Sequence, residues 1–323
     1  MNGKVWKLIG WVVVGLLLGS HWGCGVLGLG SSSSPELRPV DGPPEVEELR
    51  RYQEVSAGLF HSCAVDGEGQ VRCWGKDALG STQPPEVKLS GLSSGHFHTC
   101  GLDEDGQAHC WGSNTKGQSD PPAVALQQIS AGIRHSCGLD AQGQLHCWGD
   151  DRFGQSSPPR GSFVEVSAGG AHSCGVDADQ GLHCWGDDRH GQLDAPTEDV
   201  FSVAAGSAHS CAITVEQRPL CWGRDHQGQA SPPQMQTTSI ATGIAHSCGL
   251  DPSGQAHCWG SNRHGRSDPP PREIQQLSIG GAHGCGIDHR NHLTCWDDSV
   301  HPWTAPPSGR ASAAAPIRQE DHR

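Results

Sequence analysis

Fourteen of the fifteen cysteines stand in pairs ten residues apart. The pairs are Cys63 and Cys73, Cys100 and Cys110, Cys137 and Cys147, Cys174 and Cys184, Cys211 and Cys221, Cys248 and Cys258, and Cys285 and Cys295. The chemistry open to such a pair is a disulfide. The alternative, a set of free buried thiols, suits a reducing compartment. Around Cys137 the residues alternate in type with period two, and Gly143 sits where a three-residue hairpin loop needs a left-handed residue. A loop centred on Gln142 puts Cys137 opposite Cys147. In a non-hydrogen-bonded antiparallel pair the Cα atoms approach to about 4.5 Å, which suits a disulfide. The same arithmetic holds for all seven pairs and leaves Cys24 alone.

Histidine is the second candidate. His61, His98, His135, His172, His209, His246 and His283 each stand two residues before the first cysteine of a pair. Imidazole is a good metal ligand, so a metal ring is conceivable. A residue that recurs in every structural unit is better explained by the unit, with each His fixing its own turn through a backbone hydrogen bond. His109, His146, His183 and His257 form a second set, read as packing between units. The Ser beside each His in H-S-C points to the opposite face of a strand, so the two cannot act as nucleophile and base. Acidic turns such as Asp103-Glu104-Asp105-Gly106 lack the twelve-residue calcium series and are explained by turn chemistry. There is no H-E-x-x-H or phosphate loop. The expectation is no catalysis, no metal and no cofactor.

These residues recur because the chain does. Both cysteine series advance in steps of 37 residues, and a Trp follows each second Cys (Trp74, Trp111, Trp148, Trp185, Trp222, Trp259 and Trp296). The unit reads S-A-G-x-x-H-S-C-G-L-D-x-x-G-Q-x-H-C-W-G, followed by a polar loop ending in G-Q and P-P. Three short strands fit in it: one leading into S-A-G, one at H-S-C-G-L-D and one at x-H-C-W-G. So small a unit cannot bury its faces alone, whereas seven stacked radially can close a ring. The fold expected is all-β: a seven-bladed β-propeller of 37-residue repeats, about three strands per blade and one disulfide per blade. The Trp rings are expected to pack between repeats. Residues 43–309 are assigned to the propeller, with the N-terminal strand (45–55) closing the last blade, and 310–323 to a disordered tail.

Over that repeated frame, the loop after C-W-G varies. Its candidate partner-binding residues are Asp150, Asp151, Arg152, Phe153, Asp187, Asp188, Arg189, His190, Arg224, His226, Arg263 and His264, with Trp303 as a further aromatic anchor. Equivalent loops of a closed ring gather on one face, and aromatics and Arg dominate interface energetics. Solvated loop filler is the plainer alternative.

Lys4 and Lys7 precede an apolar run over 8–18, the pattern of an export signal and too short for a membrane span. The following H-W-G-C resembles a bacterial lipobox with lipidation at Cys24. His21 and Trp22 depart from that pattern, so simple cleavage stays open. Residues 1–23 are assigned to the signal and 24–42 to a tether. A net charge of −13 with no Lys/Arg cluster disfavours nucleic acid and an anionic membrane surface, leaving a lipid on Cys24 as the one membrane contact.

At A-G-x-x-H-[ST], G-Q and C-W-G, over about residues 45–307, the chain resembles the regulator-of-chromosome-condensation repeat superfamily. Its short period and seven copies are most similar to the compact bacterial branch that includes the type II β-lactamase inhibitor protein. The resemblance implies a propeller and says little of function. The reading that follows is an exported, monomeric scaffold for an unknown protein partner, as inhibitor, adhesin or envelope module. A surface lipoprotein without a dedicated ligand, and a metal-dependent or carbohydrate-acting protein using the channel, are the alternatives.

Overall fold

Each 37-residue unit folds as its alternation dictates, into three antiparallel strands in sequence order. In the third unit these are Leu126–Ala131, His135–Asp140 and Leu145–Gly149. The computed structural model describes residues 51–297 and 305–306. The signal, Cys24, the tether, the tail and Trp303 lie outside the described residues. Seven three-stranded sheets result, over residues 52–75, 90–112, 126–149, 163–186, 200–223, 239–260 and 276–296, called blades 1 to 7 here. They belong to one unit, Glu47–Arg323.

The hairpin joining the last two strands of blade 3 is a three-residue loop. Asp140 and Gln144 pair across it, and Gly143 takes φ +75°. Gln180, Gln217 and Asn291 hold the same place in blades 4, 5 and 7 with φ of 63–70°, a conformation that disfavours side chains with a Cβ. Across each hairpin the paired cysteines face one another, Cys137 opposite Cys147 in blade 3. All seven disulfides have this form, with Cα atoms 4.0–4.1 Å apart. The residue after each first Cys is small because the first strand of its own blade fills the space. A Cβ on Gly138 would lie 2.4 Å from Leu126 Cδ1.

The core lies between blades. The disulfide and Leu139 of blade 3 pack against Phe163, Val166 and Trp185 of blade 4. Cys285, Ile287 and Leu293 of blade 7 pack against Tyr52, Val55 and Trp74 of blade 1, which closes the ring. This corrects the strand assignment at the N-terminus. Tyr52–Ala57 pairs with His61–Asp66 of blade 1 and is not a strand of blade 7. Blade 7 already draws its own first strand, Gln276–Ile279, from the seventh repeat. The contact of blade 1 with blade 7 is lateral. Val55 N donates to Gln276 Oε1 and Ala57 N to Ser278 Oγ. Residues 43–50 lie outside the described residues.

The repeated histidines bind the neighbouring blade and not their own turn. Nε2 of His61, His98, His135, His172, His209 and His283 meets the hydroxyl of Thr99, Ser136, Ser173, Ser210, Ser247 and Ser62 at 2.7–2.9 Å. In blades 3, 4 and 6 that hydroxyl also donates to a main-chain oxygen, as Ser136 Oγ does to Gln118 O. A hydroxyl has one proton to give, so there it must accept from Nε2–H, which assigns the tautomer. These imidazoles have no Nε2 lone pair free for a metal. The Ser and His that are neighbours in sequence do not meet, but Ser and His of successive repeats do, fully buried. The seventh link is missing. Gly284 stands where the other blades have Ser or Thr, and His246 Nε2 is buried without a partner. The second histidine set also departs from expectation. Each ring bonds the Asp of its own hairpin, as His109 does Asp103 and His146 does Asp140, at 2.6–2.8 Å, and so serves the hairpin instead of a blade interface. The same aspartates accept backbone N–H groups of the turn, as Asp103 does from Asp105 and Gln107. Among the described residues no group of three His, Cys, Asp or Glu is placed to hold a metal.

A further repeated position bridges blades. Oxygens of Glu54, Gln128, Glu165 and Gln276 accept the backbone N–H of Gly91, Val166, Val203 and Val55. Glutamine does this without a charge. Burial pushes the Glu165 carboxyl up to about 7, against the opposing bonds from Ser202 and Val203. A carboxyl raised on folding contributes fully below its unfolded value near 4.5, and that contribution is lost as pH rises through 7. Glu165→Gln is therefore expected to stabilise the protein by about 2 kcal/mol at pH 8. The gain should shrink toward zero by pH 5. Denaturant midpoints at the two pH values check this, and an equal gain at both would refute it.

Candidate functional site

The loop after C-W-G is held by two repeated devices. Its second residue folds back on the loop: Asp151 Oδ1 accepts from Ser156 N, and Asp188 Oδ1 from Leu193 N. Asp77, Asn114, Asp225 and Asn262 make the same bond in their loops. Its sixth residue is a buried Gln in blades 2 to 5. Gln155 Oε1 accepts from Phe153 N, and Gln155 O accepts from Trp185 Nε1 of the next blade. Asp151 and Asp188, read from sequence as rim residues, are thus loop staples.

What these loops carry converges over blades 3, 4 and 5. A groove of about 360 Å³ is lined by Arg134, Asp150, Arg152, Phe153, Asp187, Arg189, His190 and Arg224. Its floor includes Gly170, Ala171, Ser207 and Ala208. The channel-mouth positions of blades 4 and 5 in this lining are small, as they also are in blade 7 (Gly281 and Ala282). Their equivalents are Leu59 and Phe60 in blade 1, His96 and Phe97 in blade 2, and Ile133 and Arg134 in blade 3.

Asp150 and Asp187 are buried at the base and each fixes an arginine. Arg152 reaches Asp150 through Nε at 3.0 Å and Nη2 at 2.8 Å. Arg189 reaches Asp187 at 2.8 and 3.0 Å. Burial alone would raise both carboxyls, but the guanidiniums hold them below the usual range. Arg189 also lies over the Phe153 ring, 4.8 Å from its centroid, a cation–π contact that orders both groups. Phe153 remains 40% exposed. Among the described residues, the guanidiniums of Arg134 and Arg224 have no hydrogen-bond or ion-pair partner.

The structure brings together Asp150, Arg152, Phe153, Asp187, Arg189, His190 and Arg224. It places His226 on the blade 5 loop and Arg263 and His264 in the 3-10 turn Arg263–Gly265 of blade 6, outside this lining. Arg134 escaped the sequence reading. It belongs to the A-G-x-x-H turn, not to the variable loop. Its signal is being the charged residue at a place where the other six repeats have Phe or Ala.

The axial channel is narrower, at about 70 Å³. It is lined by the turns of all seven blades that end in Gly58, Gly95, Gly132, Gly169, Gly206, Gly243 and Gly280. Of its lining, His96 is the titratable side chain, and burial pushes it down to about 4.

The family model for the regulator of chromosome condensation (RCC1) repeat matches residues 52–80, 90–118, 127–155, 163–192, 202–229 and 238–266, more than half of the chain. The seventh repeat, with its Gly284, lies outside these matches. No curated protein matches the chain. Among solved structures, the chain is similar to the ectodomain of the receptor kinase CR4 from Physcomitrella patens. The identity is 28%, coverage is 77% of this chain and 74% of that one, and the TM-score is 0.67. It is also similar to the CRINKLY WD40 ectodomain of the receptor kinase ACR4 from Arabidopsis thaliana, at 25% identity, 77% and 98% coverage and TM-score 0.63. Prp20p from Saccharomyces cerevisiae, described with its binding to Gsp1p and histones, shares 18% identity, with 71% and 80% coverage and TM-score 0.61. At that identity the likeness concerns the fold.

Proposed function

This chain belongs to the RCC1 repeat family, and from that premise we propose that it is an exported scaffold binding one protein partner through the groove on blades 3 to 5. Its seven disulfides suit an oxidising, extracytoplasmic setting. The similar receptor-kinase propellers are ectodomains, which fits the same placement. Anchoring through Cys24 or simple release after cleavage are both compatible with it, as is a likeness to the compact bacterial branch.

One observation carries the reading. Disulfides, His–hydroxyl links and loop staples recur around the ring, whereas the Arg-rich groove occurs, among the described residues, in one sector. A device found once over a repeated frame is better explained by a ligand than by the frame. The channel offers a competing site, but it is small and lined mostly by Gly, Ala and Ser, with Ile133, Ile244, Ile279, Thr242 and His96.

The test is crosslinked capture from the native envelope with the full chain and with an Arg152→Ala/Phe153→Ala/Arg189→Ala variant. Asp150 and Asp187 are left in place because they are buried supports. One partner retained by the wild type and lost by the variant is expected. Equal capture would move the site elsewhere on the ring. No capture by either would favour a structural surface protein.

A further inference from the structure

We infer that the groove takes an acidic segment of the protein partner, with carboxylates on Arg134 and Arg224 and an apolar side chain against Phe153. This rests on the groove being the partner site.

Four guanidiniums line the groove against two carboxylates. That is a local excess of positive charge on a chain of net −13. Asp150 and Asp187 are both consumed, the first by Arg152 and the second by Arg189 and Gln192 Nε2. The exposed loop aspartates beside them, Asp151, Asp188 and Asp225, turn to their own backbones and lie outside the lining. Arg134 and Arg224 are exposed and, among the described residues, unpaired. The groove therefore presents charged donors and no spare carboxylate acceptor. A guanidinium fork matches a carboxylate with two parallel bonds. A neutral sugar is a poorer fit, because its hydroxyls need acceptors as well as donors. Sugar stacking is also hindered, since Arg189 already covers one face of Phe153. The exposed remainder of that ring suits an apolar side chain next to the acidic ones. A basic or nucleic-acid ligand is not served: the first meets like charge, and the second needs a positive face longer than one groove. An acidic peptide satisfies the cations and the aromatic together.

The probe is a fluorescein-labelled oligoglutamate peptide carrying one phenylalanine, titrated by anisotropy against the full oxidised chain. Saturable binding is expected, weakened by about tenfold in Arg134→Ala and in Arg224→Ala. Binding should fall with salt, as for exposed charges. Neither guanidinium bonds the described frame, and an unchanged near-UV spectrum confirms folding of each variant. Oligolysine should not bind. No binding of the acidic peptide, binding indifferent to both substitutions, or tighter binding of oligogalacturonate would each overturn the inference. The two proposals separate in competition. Partner capture lost in the loop variant but insensitive to excess peptide sinks the acidic segment and leaves the groove standing. Capture insensitive to the loop variant sinks both.

Discussion

Acidification from pH 7 toward pH 4 will unfold the ring in one cooperative step, with uptake of about seven protons. The cause is the burial of the seven repeated histidines. Burial pushes His98, His135, His246 and His283 down to about 3, and His61, His172 and His209 to about 4. In the unfolded chain these imidazoles titrate near 6.5. A histidine depressed on folding contributes stability that is present above 6.5. That contribution is lost as pH falls toward the folded value, because the unfolded chain binds the proton first. Each group loses about 1.4 kcal/mol per pH unit in that window. Seven together approach about 10 kcal/mol per unit, against a net stability of about 5–15 kcal/mol for ordinary domains. His96, also pushed down to about 4, acts in the same direction. Glu165, raised to about 7, opposes them and offsets about one proton. Depressed surface carboxyls such as Asp103 and Asp140 add to the loss only at lower pH. Tryptophan fluorescence against pH, with the denaturant midpoint measured at pH 7, 6 and 5, reads the slope. A native spectrum retained at pH 4, or a slope of one or two protons, would show that the repeated histidines are not held neutral.

The strands and bridges were legible because period two and a fixed cysteine spacing leave little choice of register. Cys137 opposite Cys147 follows once the loop is three residues. Contacts between repeats were not legible, because a repeat spacing does not say which neighbour a side chain meets. His135 could have bonded its own turn, and it bonds Ser173, 38 residues on. The rule A-G-x-x-H-S is thus half of a contact whose other half lies in the next copy, and it fails where the seventh copy reads H-G-C. The N-terminal strand was misassigned for a related reason. A strand that touches blade 7 laterally through Gln276 and Ser278 is hard to distinguish in sequence from one that joins its sheet.

The site was half legible. Variation in the loop after C-W-G identified the converging Arg152, Phe153 and Arg189. It did not separate them from Asp151 and Asp188, whose side chains hold the loop. Nor did it supply Arg134 or the small floor at Gly170 and Ser207, which come from a different turn. A groove is a relation between tall and short positions on two segments, and only the folded ring places those segments on one face.

Reduction of the seven bridges should leave the chain unable to hold its native state at neutral pH. Each bridge joins residues ten apart, and closing so short a loop stabilises by about 2–3 kcal/mol in the chain-entropy model. Even half of the summed effect would match the net stability of an ordinary domain, about 5–15 kcal/mol. The apolar core cannot make up the difference, because it is divided into thin clusters between blades. The first Cys of every pair is fully buried, so reductant acts on the opened ring. The measurement therefore starts from unfolded, reduced chain, returned to native buffer without oxidant. Loss of the near-UV tryptophan signal is expected, together with a drop of about 3 kcal/mol for a single Cys137→Ala/Cys147→Ala variant. A reduced chain with the native spectrum and midpoint would mean that the His–hydroxyl links and the tryptophans suffice. The expected result ties fold to place: in a reducing compartment the fourteen paired cysteines would be thiols on an unfolded chain, so the groove can exist only where the bridges form.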